Sequence, residues 1–97
     1  MTELKDQKLW VENRLAEIYH EMKESLNFSL RRTAWHSSSN GYEFCIYDPV
    51  ARWTSQAFDE EQLRFCDTNK RQEVEQLLRK MLKRLAWLVA NPTAKCP

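Results

Sequence analysis

The chain has one glycine in 97 residues. A phosphate-cradling loop needs several positions where only glycine lets the backbone approach a ligand, so glycine-rich nucleotide sites are excluded. Cysteine is scarce too. Three cysteines, an odd number with no C-x-x-C spacing, argue against a disulfide framework. No apolar run approaches the roughly 20 residues of a membrane span. The start, Met1 to Asp6, is too polar and charged for a secretory or transit peptide. The net charge is only +1, so no whole-molecule field draws nucleic acid or a membrane surface. These absences leave a cytoplasmic protein with no membrane contact as the expectation.

What is present favours a folded core. Hydrophobic residues make up 42% of the chain and aromatic residues 11%, four of them tryptophan, which is more than a disordered segment carries. Residues 3–25 read as a helix, because Leu4, Val11, Leu15, Ile18 and Met22 lie on one line of alternating three- and four-residue steps, with Lys8 at the missing step. Thr2 is a candidate cap for it. Residues 27–35, 42–47 and 51–58 alternate as strands do, with Phe28, Leu30, Phe44 and Ile46 facing inward. Asn40-Gly41 marks a hairpin and Asp48-Pro49 a second turn. Asp59-Glu60-Glu61-Gln62 starts a helical turn over about 60–66, and Asp67 to Asn69 offers a cap for a long helix over 69–90. Asn91-Pro92 ends that helix and leaves 92–97 as a loose tail. The chain therefore reads as one α+β domain of order α-β-β-β-α. Its three-stranded antiparallel sheet is packed on one face by two long amphipathic helices. Arg31, Thr33, Trp35, Cys45, Tyr47, Arg52 and Thr54 fall on the other face, although sequence does not fix register and either face of the third strand could be the outer one.

The last helix carries the strongest functional signal. Val74, Leu77, Leu78, Met81, Leu82, Leu85, Leu88 and Val89 lie within an arc of roughly 140°. Trp87 projects on the opposite side, beside Gln76, Lys80 and Lys83. The same segment holds most of the positive charge: residues 68–97 carry seven basic and two acidic side chains, net +5, against −2 for residues 1–27 and −3 for 59–67. Trp10 likewise lies off the stripe of its own helix, and Leu9 sits nearly opposite it.

Catalysis and metal binding find little support. His20, His36, Cys45, Cys66 and Cys96 are too dispersed for a tetrahedral ligand set or a Cys–His nucleophile. Glu60 and Glu61 form an acidic step with no cleft to converge in. No catalytic residue, cofactor, metal or small-molecule substrate is expected. The expectation is a non-enzymatic regulatory, adaptor or inhibitor-type protein acting through protein–protein contacts and self-associating as a homodimer. Trp10, Trp35, Tyr47, Arg52 and Trp87 are the candidate contact residues, since aromatic side chains and arginine anchor interfaces. The alternative is an RNA- or DNA-binding module that uses Lys80, Lys83 and Arg84 with Trp87 as a stacking platform. The element order resembles that of double-stranded RNA-binding domains and of the Alu-binding signal-recognition proteins. That likeness is one of topology, without the lysine-rich start of the last helix that the RNA-binding pattern has.

Overall fold

Leucine, valine and isoleucine at helical spacing, with no proline or glycine between them, carry the chain into its first helix, α1 (Thr2–Met22). The computed structural model describes residues 2–39, 41–48 and 52–93, with side chains from Lys5 onward. The Thr2 cap, Asn40, Pro49, the start of the third strand at Ala51 and the tail 94–97 lie outside the described side chains. A single 3-10 turn, Lys23–Ser25, closes α1, and Ser25 Oγ donates to the Met22 carbonyl at 2.9 Å. Three strands follow: β1 (Arg32–Ser38), β2 (Gly41–Tyr47) and β3 (Trp53–Asp59). They form one antiparallel sheet in the order β1-β2-β3, and helices pack on one face of it. The short helix α2 (Glu60–Arg64) and the long helix α3 (Arg71–Ala90) complete the chain.

The core is a single cluster between the helices and one sheet face. Val11, Leu15 and Ile18 of α1 meet Phe44, Ile46 and Phe58 of the sheet, together with Leu63 and the α3 stripe Val74, Leu78, Met81, Leu82, Leu85 and Leu88. Leu77 and Val89 pack at its margin, half-buried.

The first strand begins at Arg32, not at residue 27. Phe28 and Leu30 lie in the connecting segment, half-buried against the core. The difference inverts the face of β1. Arg32 pairs with Tyr47, yet Arg31 N also donates to the Tyr47 carbonyl at 3.0 Å. Two residues thus oppose one, a bulge that shifts side-chain parity by one. Trp35 consequently stands opposite Phe44 and Thr33 opposite Ile46, while on β3 the separate β2–β3 register pairs Thr54 with Ile46. All three share the helix-facing side rather than the outer one. Arg32, Ala34, His36, Glu43, Cys45, Tyr47, Trp53 and Ser55 make the outer face.

Two turns fix this register. Ser38 pairs with Gly41 across Ser39 and residue 40. Gly41 has φ 151°, and a Cβ there would stand 2.4 Å from the Phe58 carbonyl oxygen, so only glycine fits. Between β2 and β3, Asp48 N donates to the Arg52 carbonyl at 3.0 Å, and Arg52 N donates to Asp48 Oδ1 at 2.7 Å.

Asp59 starts α2 through a capping box. It accepts from Gln62 N at 2.7 Å, while Gln62 Oε1 accepts from Asp59 N at 3.0 Å. The cap of α3 differs from the sequence reading. Turns occupy 65–70, Lys70 holds the cap position without a side-chain bond, and Val74 N closes on the Lys70 carbonyl at 2.9 Å.

Candidate binding surface

Helix α3 turns six apolar residues inward, and geometry then decides what faces out. At 3.6 residues per turn the opposite side presents Gln76, Lys80, Lys83, Trp87 and Ala90, all exposed. Trp87 keeps 55% of its surface in solvent. Its indole makes no hydrogen bond or ring contact among the described residues, and Asn91 Nδ2 donates to its backbone carbonyl at 2.7 Å.

The basic side chains of this segment divide into two groups. Most are occupied within the chain. Arg79 Nη2 reaches Glu21 at 3.1 Å, and Lys70 lies within 3.6 Å of Glu73 and 3.9 Å of Glu61. Arg71 reaches Glu75 at 3.1 Å, and its guanidinium stands 5.6 Å from the Trp10 ring centroid. Arg84 is half-buried and donates to the Ser55 carbonyl of β3 at 3.3 Å. Lys80 and Lys83 alone point outward beside Trp87 with no ion pair among the described residues.

The other candidate contact residues are dispersed. Trp10 is half-buried against the core at the junction of α1 and α3, under Arg71. Trp35 stacks 4.5 Å from Phe44 and donates its indole N–H to Glu12 Oε2 at 2.8 Å, tying β1 to α1. Tyr47 lies on the outer sheet face with Arg32 4.1 Å from its ring centroid and Trp53 paired beside it. Arg52 is part of the β2–β3 turn. The structure therefore brings together Trp87, Lys80 and Lys83 and leaves Trp10, Trp35, Tyr47 and Arg52 elsewhere.

An ion-pair cluster that the sequence reading missed joins α1 to α3. Arg14 Nε donates to Glu75 Oε2 at 2.8 Å, and its Nη1 reaches Glu17 at 3.1 Å and Glu21 at 3.6 Å. Burial by itself would raise the Glu75 pKa, but hydrogen bonds and charge from Arg14 and Arg71 outweigh it, and the net shift is downward. The hydrogen bond to Glu75 raises Arg14 in turn, against the opposing effect of burial.

Among the described residues no three His, Cys, Asp or Glu side chains converge on a metal position. Cys66 is buried, donates to the Gln7 carbonyl at 3.7 Å, and is pushed up to about 11 by burial and by Asp67. Cys45 is also raised, by burial and then by Glu43, so both thiols stay protonated near neutral pH. An open cleft of about 470 Å³ between the end of α1 and α3 is lined by Tyr19, Lys23, Phe28, Asp48 and Val89. Part of its polar edge is already engaged: Tyr19 Oη donates to the Phe28 carbonyl at 3.1 Å, and Asp48 accepts from Arg52 N. No described helix is long and apolar enough to cross a membrane. No family model, curated protein or solved structure matches the chain.

Proposed function

We propose that this is a non-enzymatic binding protein whose outward α3 face docks another protein. The observation that carries the reading is Trp87, 55% exposed on one helix face with two lysines that have no ion pair among the described residues. A tryptophan left in water costs solvation free energy that a partner pocket recovers, and such residues anchor interface hot spots. The matching partner presents an apolar pocket rimmed by carboxylates, with Lys80 and Lys83 steering the approach.

The competing reading places RNA or DNA on the same face. Lys80 and Lys83 would neutralise about two phosphates, a salt slope of only about −1.8. With Arg79 and Arg84 turned to intramolecular partners, the basic stripe is short for a nucleic-acid groove.

The test is capture from native cell extract, with and without nuclease treatment, by the wild-type chain, Trp87→Ala, and Lys80→Glu with Lys83→Glu. A protein should be retained in fixed stoichiometry, and Trp87→Ala should weaken retention about 30-fold, the size of a ~2 kcal/mol hot spot. Equal capture by wild type and Trp87→Ala sinks the reading. Retention that vanishes on nuclease treatment transfers the surface to nucleic acid.

A further inference from the structure

The two edges of the sheet are not alike. Asp48 N donates to the Arg52 carbonyl in the register of the β2–β3 ladder, so along β2 the residues with even numbers turn their N–H and C=O groups toward β3. The odd-numbered residues of β2 then bond β1, as the Arg31 N to Tyr47 O contact shows. The pairing of Ser38 with Gly41 extends the same alternation into β1. Arg32, Ala34, His36 and Ser38 bond inward, and Thr33, Trp35 and Ser37 point N–H and C=O out of the sheet. None of these three has a backbone partner beyond the sheet among the described residues. The opposite edge is occupied in part: Arg84 donates to the Ser55 carbonyl, Gln56 Nε2 to the Ala57 carbonyl, and Asp59 N to Gln62 Oε1. Beyond the bulge at Arg31 and Arg32, the stretch from Thr33 to Ser37 has no proline and no Lys, Arg, Asp or Glu, and makes a pairing template.

A second observation lies above this edge. Leu9 of α1 is 54% exposed. At ~100° per residue, Leu9 and Ala16 sit about 40–60° beyond Glu12, the residue that reaches Trp35 of β1. They are turned away from Arg14 and Trp10, which face α3. The exposed apolar flank of α1 and the open edge of β1 thus share one side of the molecule.

We infer that β1 pairs antiparallel with β1 of a second copy of this chain, forming one continuous six-stranded sheet with Leu9 and Ala16 of the two α1 helices turned toward each other. The register that uses all three outward residues on both copies centres the two-fold axis on Trp35. Trp35 then exchanges bonds with the second copy's Trp35, and Thr33 with its Ser37, for about six N–H···O bonds. Across the same register Arg32 opposes Ser38 and Ala34 opposes His36, so no like charges meet. This edge is separate from the α3 face, and the two proposals stand or fall independently.

Sedimentation of the full chain tests it, with Ser37→Pro, Leu9→Glu and Trp87→Ala beside the wild type. Ser37 is exposed, and its N–H points outward, so proline there removes an edge donor without touching the β1–β2 ladder. The wild type should sediment at twice 11.7 kDa, Ser37→Pro and Leu9→Glu at half that mass, and Trp87→Ala as the wild type. Circular dichroism unchanged from wild type shows that each variant is folded. In the wild type the Thr33, Trp35 and Ser37 amides should resist hydrogen exchange, and in Leu9→Glu they should exchange as open edge amides do. A wild-type monomer at the highest attainable concentration overturns the inference. So does a dimer that survives Ser37→Pro but is lost in Trp87→Ala, or free exchange of the three amides in a wild-type dimer.

Discussion

Glu75 shows how a single side chain on α3 joins two helices. It accepts from Arg14 at 2.8 Å and from Arg71 at 3.1 Å, and with only a fifth of its side chain exposed these bonds are less screened than surface pairs. Glu75→Gln keeps the shape and removes the charge, and should cost about 1–2 kcal/mol in chemical denaturation at neutral pH. The pH dependence has a definite sign. The folded-state pKa is lowered, so the stabilisation is present above the unfolded carboxylate value of about 4.3 and is lost as pH falls through the folded value. The gap between wild type and Glu75→Gln should therefore close in acid, below about pH 4, and stay constant from pH 6 to 8. The Arg71 arm is an i,i+4 helix pair that spacing can show, but the Arg14 arm was not legible in the sequence. Arg14 and Glu75 are 61 residues apart, and only the packing of α1 on α3 makes them neighbours.

At the scale of the elements, apolar spacing located the long helices and the central strand, because period 3.6 and period 2 follow from backbone geometry alone. It could not locate the bulge at Arg31 and Arg32. That slip depends on β1 pairing with Tyr47, and it moved Trp35 from the outer face to the helices. Asn-Gly did mark the first hairpin, but glycine matters there for a further reason. Gly41 abuts β3, and a methyl group would meet both the Phe58 carbonyl and the Asp59 Cα, at 2.4 and 2.9 Å. Gly41→Ala combines that clash with a positive φ and should destabilise by about 2 kcal/mol or more. A fall in the denaturant midpoint with unchanged m-value would show it, whereas an unchanged midpoint would mean that the strand ends move apart freely.

For the whole molecule, one cluster links α1, α2, α3 and the sheet, and no element buries its apolar face without the others. Unfolding should then be all-or-none: far-UV circular dichroism and tryptophan fluorescence, which Trp35 reports from its stack on Phe44, should give coincident transitions. Separate midpoints would reveal a helix pair that survives loss of the sheet. Trp87 was legible as an outlier from its own helix, since its exposure follows from the same periodicity that buries Leu85 and Leu88. The paired state of Arg79 and Arg84 was not, because it depends on Glu21 and the Ser55 carbonyl, both distant in sequence. Arg84 carries one further consequence. If copies join through β1 as proposed, β3 is the border left for further growth, and there Arg84 already holds the Ser55 carbonyl. The guanidinium thus removes an acceptor that a third copy would need to extend the sheet into a fibre.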